Sequence, residues 1–115
     1  MGGQLTGPPL ISILNEGSVV MPFTPQTPRT FTRANVEMLD PNQIGVYGLF
    51  RQDTWIYIGK GDIRQRLLDH LNSDNLCINQ QKPTHWVDVV TGGDPSQTEE
   101  SLIAEYRPIC NKRIG

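Results

Sequence analysis

The sequence contains no long hydrophobic run. Its longest apolar stretches, such as Leu10–Leu14, are far shorter than the roughly 18 residues that a membrane-spanning helix needs. Hydrophobic residues make up 37% of the chain and charged residues 19%, and the mean hydropathy is -0.38. These values exclude a helical membrane protein and a coiled coil, so no membrane partner is expected.

Cysteine is scarce. Cys77 and Cys110 are the two cysteines of the chain, whereas secreted disulfide scaffolds of this size usually contain more. The N-terminus also lacks the basic segment and apolar core of a secretory signal. We therefore expect two reduced thiols and a cytoplasmic location.

A surplus of positive charge is missing as well. Lys and Arg total 10 while Asp and Glu total 12, so the formal net charge is -2. A nucleic-acid partner would have to be held by a few placed cations, because the overall charge does not attract phosphate.

Two regions of the chain differ in composition. Most of the nine prolines lie in residues 1–42, which are predicted to form an irregular, proline-rich N-terminal arm. Within it, "LISIL" and "SVVMPF" are candidate short strands, and Ala34–Leu39 is a candidate short helix. Residues 43–115 carry more regular signals and are predicted to form one domain.

The strand signals of the second region are rich in β-branched and aromatic residues. They predict strands at Ile44–Phe50, Trp55–Gly59 and His85–Val90. The first two are close enough to form a hairpin.

One helix signal follows the predicted hairpin, and another follows the third predicted strand. One helix is predicted to begin after the N-cap Asp62, and a polar loop is expected after it to about Pro83. A second helix is predicted from Asp94-Pro95, as N-cap and first helical residue, to about Tyr106. The order β-β-α-β-α predicts an α+β fold with a small, mostly antiparallel sheet.

Two tyrosines lie in the predicted hairpin. If the turn is centred on Gln52, Tyr47 pairs with Tyr57, Gly45 opposes Gly59, and both phenols point to one face. The glycines would then leave room for a ligand or another backbone. The alternative is that both tyrosines only pack a core, as strand aromatics often do.

The first predicted helix carries Arg66 and His70 at positions i and i+4. Both side chains therefore lie on the same side of the helix, at the margin of its apolar stripe, where a cleft could form. The alternative for Arg66 is a solvated charge paired with Asp62 or Asp69.

The second predicted helix aims a carboxylate at its own apolar face. Glu99 precedes Leu102, Ile103 and Tyr106 by three, four and seven residues, so it lies on their stripe. A buried ionised carboxylate must be paired, coordinated or neutralised. The alternative is a capping box, in which Glu99 bonds back to the Ser96 amide.

The hairpin motifs resemble those of the GIY-YIG nuclease family. "GVY" at Gly45–Tyr47 and "YIG" at Tyr57–Gly59 are similar to the two halves of its signature, with Val46 in place of the usual Ile. The following "YIGKGDIRQRLLDH" is similar to the family's next segment, in which Arg66 takes the place of the helical Arg. The intervening segment is one residue shorter than in many members, which leaves Arg64 as a second candidate.

The last helix extends the resemblance. "EESLIAEYRPICN" is similar to the family's later helix and the tail after it, with Glu99 and Asn111 at family-like spacing. The resemblance covers about residues 43–113.

This resemblance implies a three-stranded, mostly antiparallel sheet flanked by helices. It also implies a metal-dependent endonuclease that hydrolyses phosphodiester bonds in DNA. Glu99 would hold one divalent cation, Mg2+, for which Mn2+ would substitute. Arg66 would stabilise the charge of the scissile phosphate.

The resemblance assigns the remaining roles as well. Tyr47 would be the general base, Tyr57 would orient water or phosphate, and His70 would position Tyr47 or bind phosphate. Asn111 would brace the site from the C-terminal tail. The expected substrate-binding residues are Lys60 and Arg64, and the structural glycines are Gly45 and Gly59.

Two other functions compete with the nuclease. One is a catalytically silent nucleic-acid-binding module of the same fold, and the other is a protein-interaction module that uses the arm. The complete set of site residues favours the enzyme, because binding phosphate alone does not need the carboxylate of Glu99. The oligomeric state stays open between a monomer and a homodimer.

Overall fold

A four-stranded antiparallel sheet with helices on both faces organises residues 23–111, which are the residues that the computed structural model describes. The strand order in the sheet is β1-β4-β2-β3. In chain order the elements are β1 (Arg29–Thr30), α1 (Arg33–Glu37), β2 (Ile44–Arg51), β3 (Thr54–Asp62), α2 (Ile63–Leu71), α3 (Leu76–Gln81), β4 (His85–Val90) and α4 (Ser96–Tyr106).

The α+β class and the antiparallel pairing agree with the prediction, but the expected number of three strands is wrong. The fourth strand, β1, comes from the predicted arm and pairs with β4. A two-residue strand has no periodicity of its own, so its existence depends on the β4 edge beside it. Gln26 strengthens the same edge, because its side-chain amide donates to the Asp88 carbonyl and accepts from the Asp88 amide, at 2.7 and 3.0 Å.

Each face of the sheet has its own apolar core. On one face, α4 contributes Leu102 and Tyr106 to a cluster that includes Phe23 of the arm. On the other face, α1, α2 and α3 cover a second cluster, to which Tyr47 and Trp86 belong. The candidate strand "LISIL" and most of "SVVMPF" lie outside the described residues, and the boundary after residue 42 stays a prediction.

The β2–β3 hairpin differs from its predicted register. A two-residue turn joins Arg51 to Thr54. Further from the turn, a β-bulge shifts the pairing between Leu49 and Phe50. Tyr47 consequently pairs with Gly59 rather than with Tyr57. The turn and the bulge each shift the register by one residue, and because a shift of two residues preserves the face, both phenols still point to the same side.

Local capping signals locate the helices well. Asp62 caps α2 and accepts from the Gln65 amide at 3.2 Å, as predicted. The last helix begins one residue later than expected, with Pro95 as N-cap, although Asp94 still accepts from the Ser96 amide at 3.0 Å.

The expected polar loop before β4 contains a further helix, α3. Asn75 is its N-cap and accepts from the Ile78 amide at 3.1 Å. Ile78 is 2% exposed and supplies its buried contact. A single apolar anchor leaves no helical periodicity, so the sequence predicted only a loop.

The two cysteines are joined in a disulfide, so the expectation of two reduced thiols is wrong. Cys77 lies on α3 and Cys110 lies after α4, 33 residues further along the chain. The fold brings their Cα atoms to 5.7 Å, within the range that a disulfide bridges. Among residues 23–111, no helix is long and apolar enough to cross a membrane.

Candidate active site

The Tyr47 ring lies directly over Gly59 on the next strand. A Cβ atom built on Gly59 would collide with the phenol oxygen and lie 2.6 Å from the Cζ atom of Tyr47. Only glycine therefore allows the ring this position. Gly45 is required for another reason, because a Cβ atom there would collide with the carbonyl oxygen of Val89 on β4.

Side chains of the hairpin and of α2 meet on this face of the sheet. The His70 ring centroid lies 5.6 Å from that of Tyr47 and 5.3 Å from that of Tyr57, edge-on in the second case. The two tyrosine centroids are 6.3 Å apart. We call Tyr47, Tyr57, Arg66 and His70 the phenol cluster.

A continuous hydrogen-bonded chain runs through the phenol cluster. The Tyr47 phenol oxygen lies 2.7 Å from His70 Nε2, and His70 Nδ1 lies 2.7 Å from Asp74 Oδ1. Tyr47 is fully buried and His70 is 4% exposed. The chain thus begins in the core and ends at a carboxylate near the surface.

Arg66 borders this chain and is held by two carboxylates. Its Nη1 atom lies 2.8 Å from Asp69 and 3.8 Å from Asp74. Its aliphatic stem packs over Gly61, where an added Cβ atom would lie 3.3 Å from Arg66 Cγ. Arg64, the second candidate from the sequence, forms no ion pair within residues 23–111.

Burial dominates the acid–base properties of the phenol cluster. It raises the pKa of the Tyr47 phenol far above the ordinary value, and Tyr57 raises it further, while the Arg66 charge opposes both effects. Burial also lowers the pKa of His70, against the opposing effect of Asp74. At neutral pH, Tyr47 is therefore a neutral phenol beside a largely neutral imidazole.

Glu99 is held on the other face of the sheet, the face covered by α4. Its Oε1 atom lies 3.8 Å from Lys60 Nζ, which also donates to Ser96 Oγ at 2.8 Å. The Ser96 amide bonds to Asp94, so it does not form the alternative capping box with Glu99. We call Lys60 and Glu99 the acid pair.

The phenol cluster and the acid pair are adjacent along β3. Gly59 lies against Tyr47 on one face, and the next residue, Lys60, turns to α4 on the other. β3 is the last strand of the sheet in the part of the chain that the structure describes, so consecutive residues of this edge strand face the two groups.

This fold has counterparts among solved structures. The chain is similar to the GIY-YIG N-terminal endonuclease domain of UvrC from Thermotoga maritima. Two variants of that domain, each with one tyrosine replaced by phenylalanine and bound to a catalytic divalent cation, are 29% and 28% identical to this chain. Both have a TM-score of 0.60, and each match covers 70% of this chain and 94% of the other.

The magnesium-bound form of the same domain matches as well. It is 26% identical, has a TM-score of 0.57, and the match covers 70% of this chain and 96% of that chain. The chain has the GIY-YIG nuclease fold. No family model and no curated protein matches this chain.

Residues 109–111 pair with the outer edge of β3. Asn111 accepts from the Ile58 amide at 2.8 Å and donates to the Ile58 carbonyl at 2.9 Å. Cys110, held by the disulfide, donates its amide to Ile56 at 2.8 Å. Asn111 thus holds the middle residue of the "YIG" motif through that residue's backbone.

Two carboxylates of the site escaped the sequence analysis. Asp69 appeared only as an alternative partner of Arg66, and Asp74 did not appear at all. The available signal was spacing, because Asp74 follows His70 by four residues. It lies beyond the end of α2, where helical periodicity no longer predicts a contact.

The match to a metal-bound endonuclease domain supports a nuclease function for this GIY-YIG fold and the binding of a divalent cation.

Proposed function

We propose that this chain is a metal-dependent endonuclease that hydrolyses phosphodiester bonds in DNA. The observation that carries the proposal is the phenol cluster, in which two tyrosines, a guanidinium and an imidazole converge beside an edge strand. The similarity of the chain to the metal-bound endonuclease domain supports the same reaction class. The net charge of -2 means that placed cations, and not overall charge, would hold the phosphates.

The Glu99 carboxylate is a suitable ligand for Mg2+. Within the described part of the chain, no group of three His, Cys, Asp or Glu side chains could hold a metal ion. That excludes a closed site built from protein ligands there, such as structural zinc. Mg2+ instead keeps several waters and uses one or two carboxylates together with substrate phosphate, so Glu99 alone is a sufficient protein ligand.

Glu99 would hold this cation, with Mn2+ as the expected substitute. When bound, the ion supplies positive charge to the phosphoryl oxygens and the leaving oxygen. Lys60 would bind the phosphate backbone, and the position of its ammonium beside the Glu99 carboxylate, at 3.8 Å, supports this role. Arg64 is the second substrate-binding candidate, on the surface of α2.

Arg66 and the phenols would act on the phosphate and the attacking water. The guanidinium binds the scissile phosphate through charge-assisted hydrogen bonds and counters its growing charge. Tyr47 receives the proton of the attacking water, and Tyr57, which is partly exposed, orients that water or the phosphate. A neutral phenol cannot by itself be the final acceptor, which makes His70 Nε2 at 2.7 Å the next one.

The test is Mg2+-dependent nicking of supercoiled DNA by the wild-type chain, by Glu99→Ala and by Glu100→Ala. Linear, branched and single-stranded DNA and RNA in Mg2+ or Mn2+ complete the panel. Glu99→Ala is expected to lower the rate at least ~1,000-fold, because the cation loses its protein ligand. Glu100 is exposed on the same helix, so its removal is expected to leave the rate unchanged.

The proposal fails if Glu99→Ala cleaves as fast as Glu100→Ala. DNA binding without cleavage in either metal ion would instead identify a catalytically silent binding module. The same preparations, analysed for mass in solution, distinguish a monomer from a homodimer. The expected cytoplasmic location stays a prediction, and the Cys77–Cys110 disulfide weighs against it, because cytosolic thiols are kept reduced in most organisms.

A further inference from the structure

Asp74 has no role in the reaction as described so far, yet it holds the far side of the imidazole on which Tyr47 depends. Its Oδ1 atom lies 2.7 Å from His70 Nδ1. An ionised carboxylate can only accept hydrogen bonds, so Nδ1 must carry the proton of this bond. In the neutral ring, Nε2 is then the acceptor that faces the Tyr47 hydroxyl at 2.7 Å.

We propose that Asp74 is a positioning residue that fixes the His70 tautomer, so that His70 can take the Tyr47 proton when the attacking water is deprotonated. This inference rests on the nuclease function proposed above. The water proton moves to the phenol oxygen as the phenol proton moves to His70 Nε2. The water oxygen forms a bond to phosphorus, and the bond from phosphorus to the leaving oxygen breaks with its electron pair going to that oxygen. The leaving oxygen takes a proton from solvent, and the imidazolium later returns its own proton to solvent.

Burial explains why the proton would move in this way. Tyr47 is fully buried, so an isolated phenolate there would lose its hydration. Transfer to His70 leaves Tyr47 neutral and places the new positive charge beside a carboxylate whose side chain is 34% exposed. The carboxylate therefore both selects the tautomer and pairs with the imidazolium.

The ionisation of His70 also responds to its other neighbours. Burial is the dominant cause that lowers the pKa of His70, the Arg66 charge lowers it further, and Asp74 opposes both. Loss of Asp74 therefore lowers the pKa of His70 further. The charged and titratable groups that face or border the ring are Tyr47 from β2, Tyr57 from β3, Arg66 and Asp69 on α2, Asp74 after it, and Lys82 in the cleft beside α3.

Asp74→Asn and Asp69→Asn form a matched pair of variants. Each removes one carboxylate near Arg66, at 3.8 and 2.8 Å respectively, but only Asp74 is hydrogen-bonded to His70. An effect through Arg66 should be at least as large for Asp69, which is closer. An effect through the tautomer should appear only for Asp74.

Asp74→Asn is expected to lower kcat for nicking about 100-fold with KM changed less than about threefold, because an amide can also stabilise the wrong tautomer. The limb of the kcat–pH profile that rises with loss of the His70 proton should move to lower pH. Asp69→Asn should lower kcat less than about fivefold and move that limb less far, because Asp69 acts on His70 through its charge alone and is the weaker influence. Asp74→Glu, which retains the acceptor, should recover part of the rate.

Nitrogen-15 NMR of the imidazoles provides a readout that does not depend on cleavage. His70 and His85 are the two histidines of the chain, so His85→Gln assigns both signals. The wild-type protein should show His70 protonated at Nδ1, and Asp74→Asn should shift the population toward Nε2. Thermal unfolding of each variant verifies that the fold is retained.

An unchanged His70 tautomer in Asp74→Asn, or equal losses of rate in the two Asn variants, would overturn the proposal. A wild-type chain that cleaves no nucleic acid would instead remove the proposed function. The tautomer measurement separates these two failures, since it reads the position of the His70 proton in the uncleaving protein as well.

Discussion

The phenol cluster and the acid pair lie on opposite faces of the sheet. They differ in how far their central side chains are exposed to solvent. Tyr47 is fully buried and is locked to His70, which is itself locked to Asp74. In the acid pair, by contrast, the side chains of Lys60 and Glu99 are 43% and 13% exposed and lie 3.8 Å apart. Tyr47 and His70 are thus shielded from solvent and fixed, whereas Lys60 keeps contact with solvent.

This difference suits two separate tasks. A buried, hydrogen-bonded group needs little reorganisation when a proton moves, so the phenol cluster suits proton transfer. A carboxylate near water suits a cation that keeps most of its hydration shell. If this comparison is correct, substitutions in the phenol cluster should lower the cleavage rate or the free energy of unfolding much more than a substitution of Lys60, which leaves Glu99 intact.

Among the substitutions that leave Glu99 intact, loss of Arg66 is expected to give the largest effect. Arg66→Ala should lower kcat/KM for DNA nicking by ~100- to 1,000-fold, equivalent to about 3–4 kcal/mol of transition-state stabilisation. Arg64→Ala is the matched control on the same helix and should stay within about fivefold in single-turnover assays. A larger loss for Arg64 than for Arg66 would exchange their roles and move the phosphate site away from the phenols.

An added methyl group at Gly59 should test the rigidity of the phenol cluster. Gly59→Ala must displace the Tyr47 ring, so the free energy of unfolding is expected to fall by about 2 kcal/mol or more, measured by urea denaturation. In Gly93→Ala the new Cβ atom meets nothing within 4 Å, so that variant should retain wild-type stability within about 0.5 kcal/mol. Equal stabilities of the two variants would show that Tyr47 relocates freely.

Among these variants, Lys60→Gln should give the smallest effect. Lys60→Gln removes the charge opposite Glu99 and keeps a donor for Ser96, and it is expected to change the free energy of unfolding by less than about 1 kcal/mol, because exposed ion pairs contribute little. Urea denaturation at low and high salt measures this change. A decrease in the free energy of unfolding as large as that of Gly59→Ala would show that the two faces do not differ in this way.

Local rules predicted the parts of the fold that depend on near neighbours. The N-cap Asp62 sets the start of α2, and the spacing of Arg66 and His70 sets their shared face, since both involve residues within one or two helical turns. The shared face of Tyr47 and Tyr57 was also correct, although their pairing was wrong. Strand alternation has a period of two, so a register error of two residues leaves the face unchanged.

Contacts between distant segments could not be predicted in the same way. β1 exists because β4 offers it an edge, and α3 because the core offers Ile78 a place to pack. The disulfide depends on the fold bringing α3 and the C-terminal tail together. None of these partners is marked by periodicity or by a local motif.

The sequence by itself determined the hairpin, the start of α2 and the identity of the residues that resemble a nuclease signature, because each follows from spacing along a regular element. Only the tertiary structure decided that Tyr47 is buried against His70, that Asp74 completes their hydrogen-bonded chain, and that Glu99 lies beside Lys60 on the opposite face. Burial and pairing depend on segments far apart in the chain, and those become neighbours only when the sheet and its helices pack together.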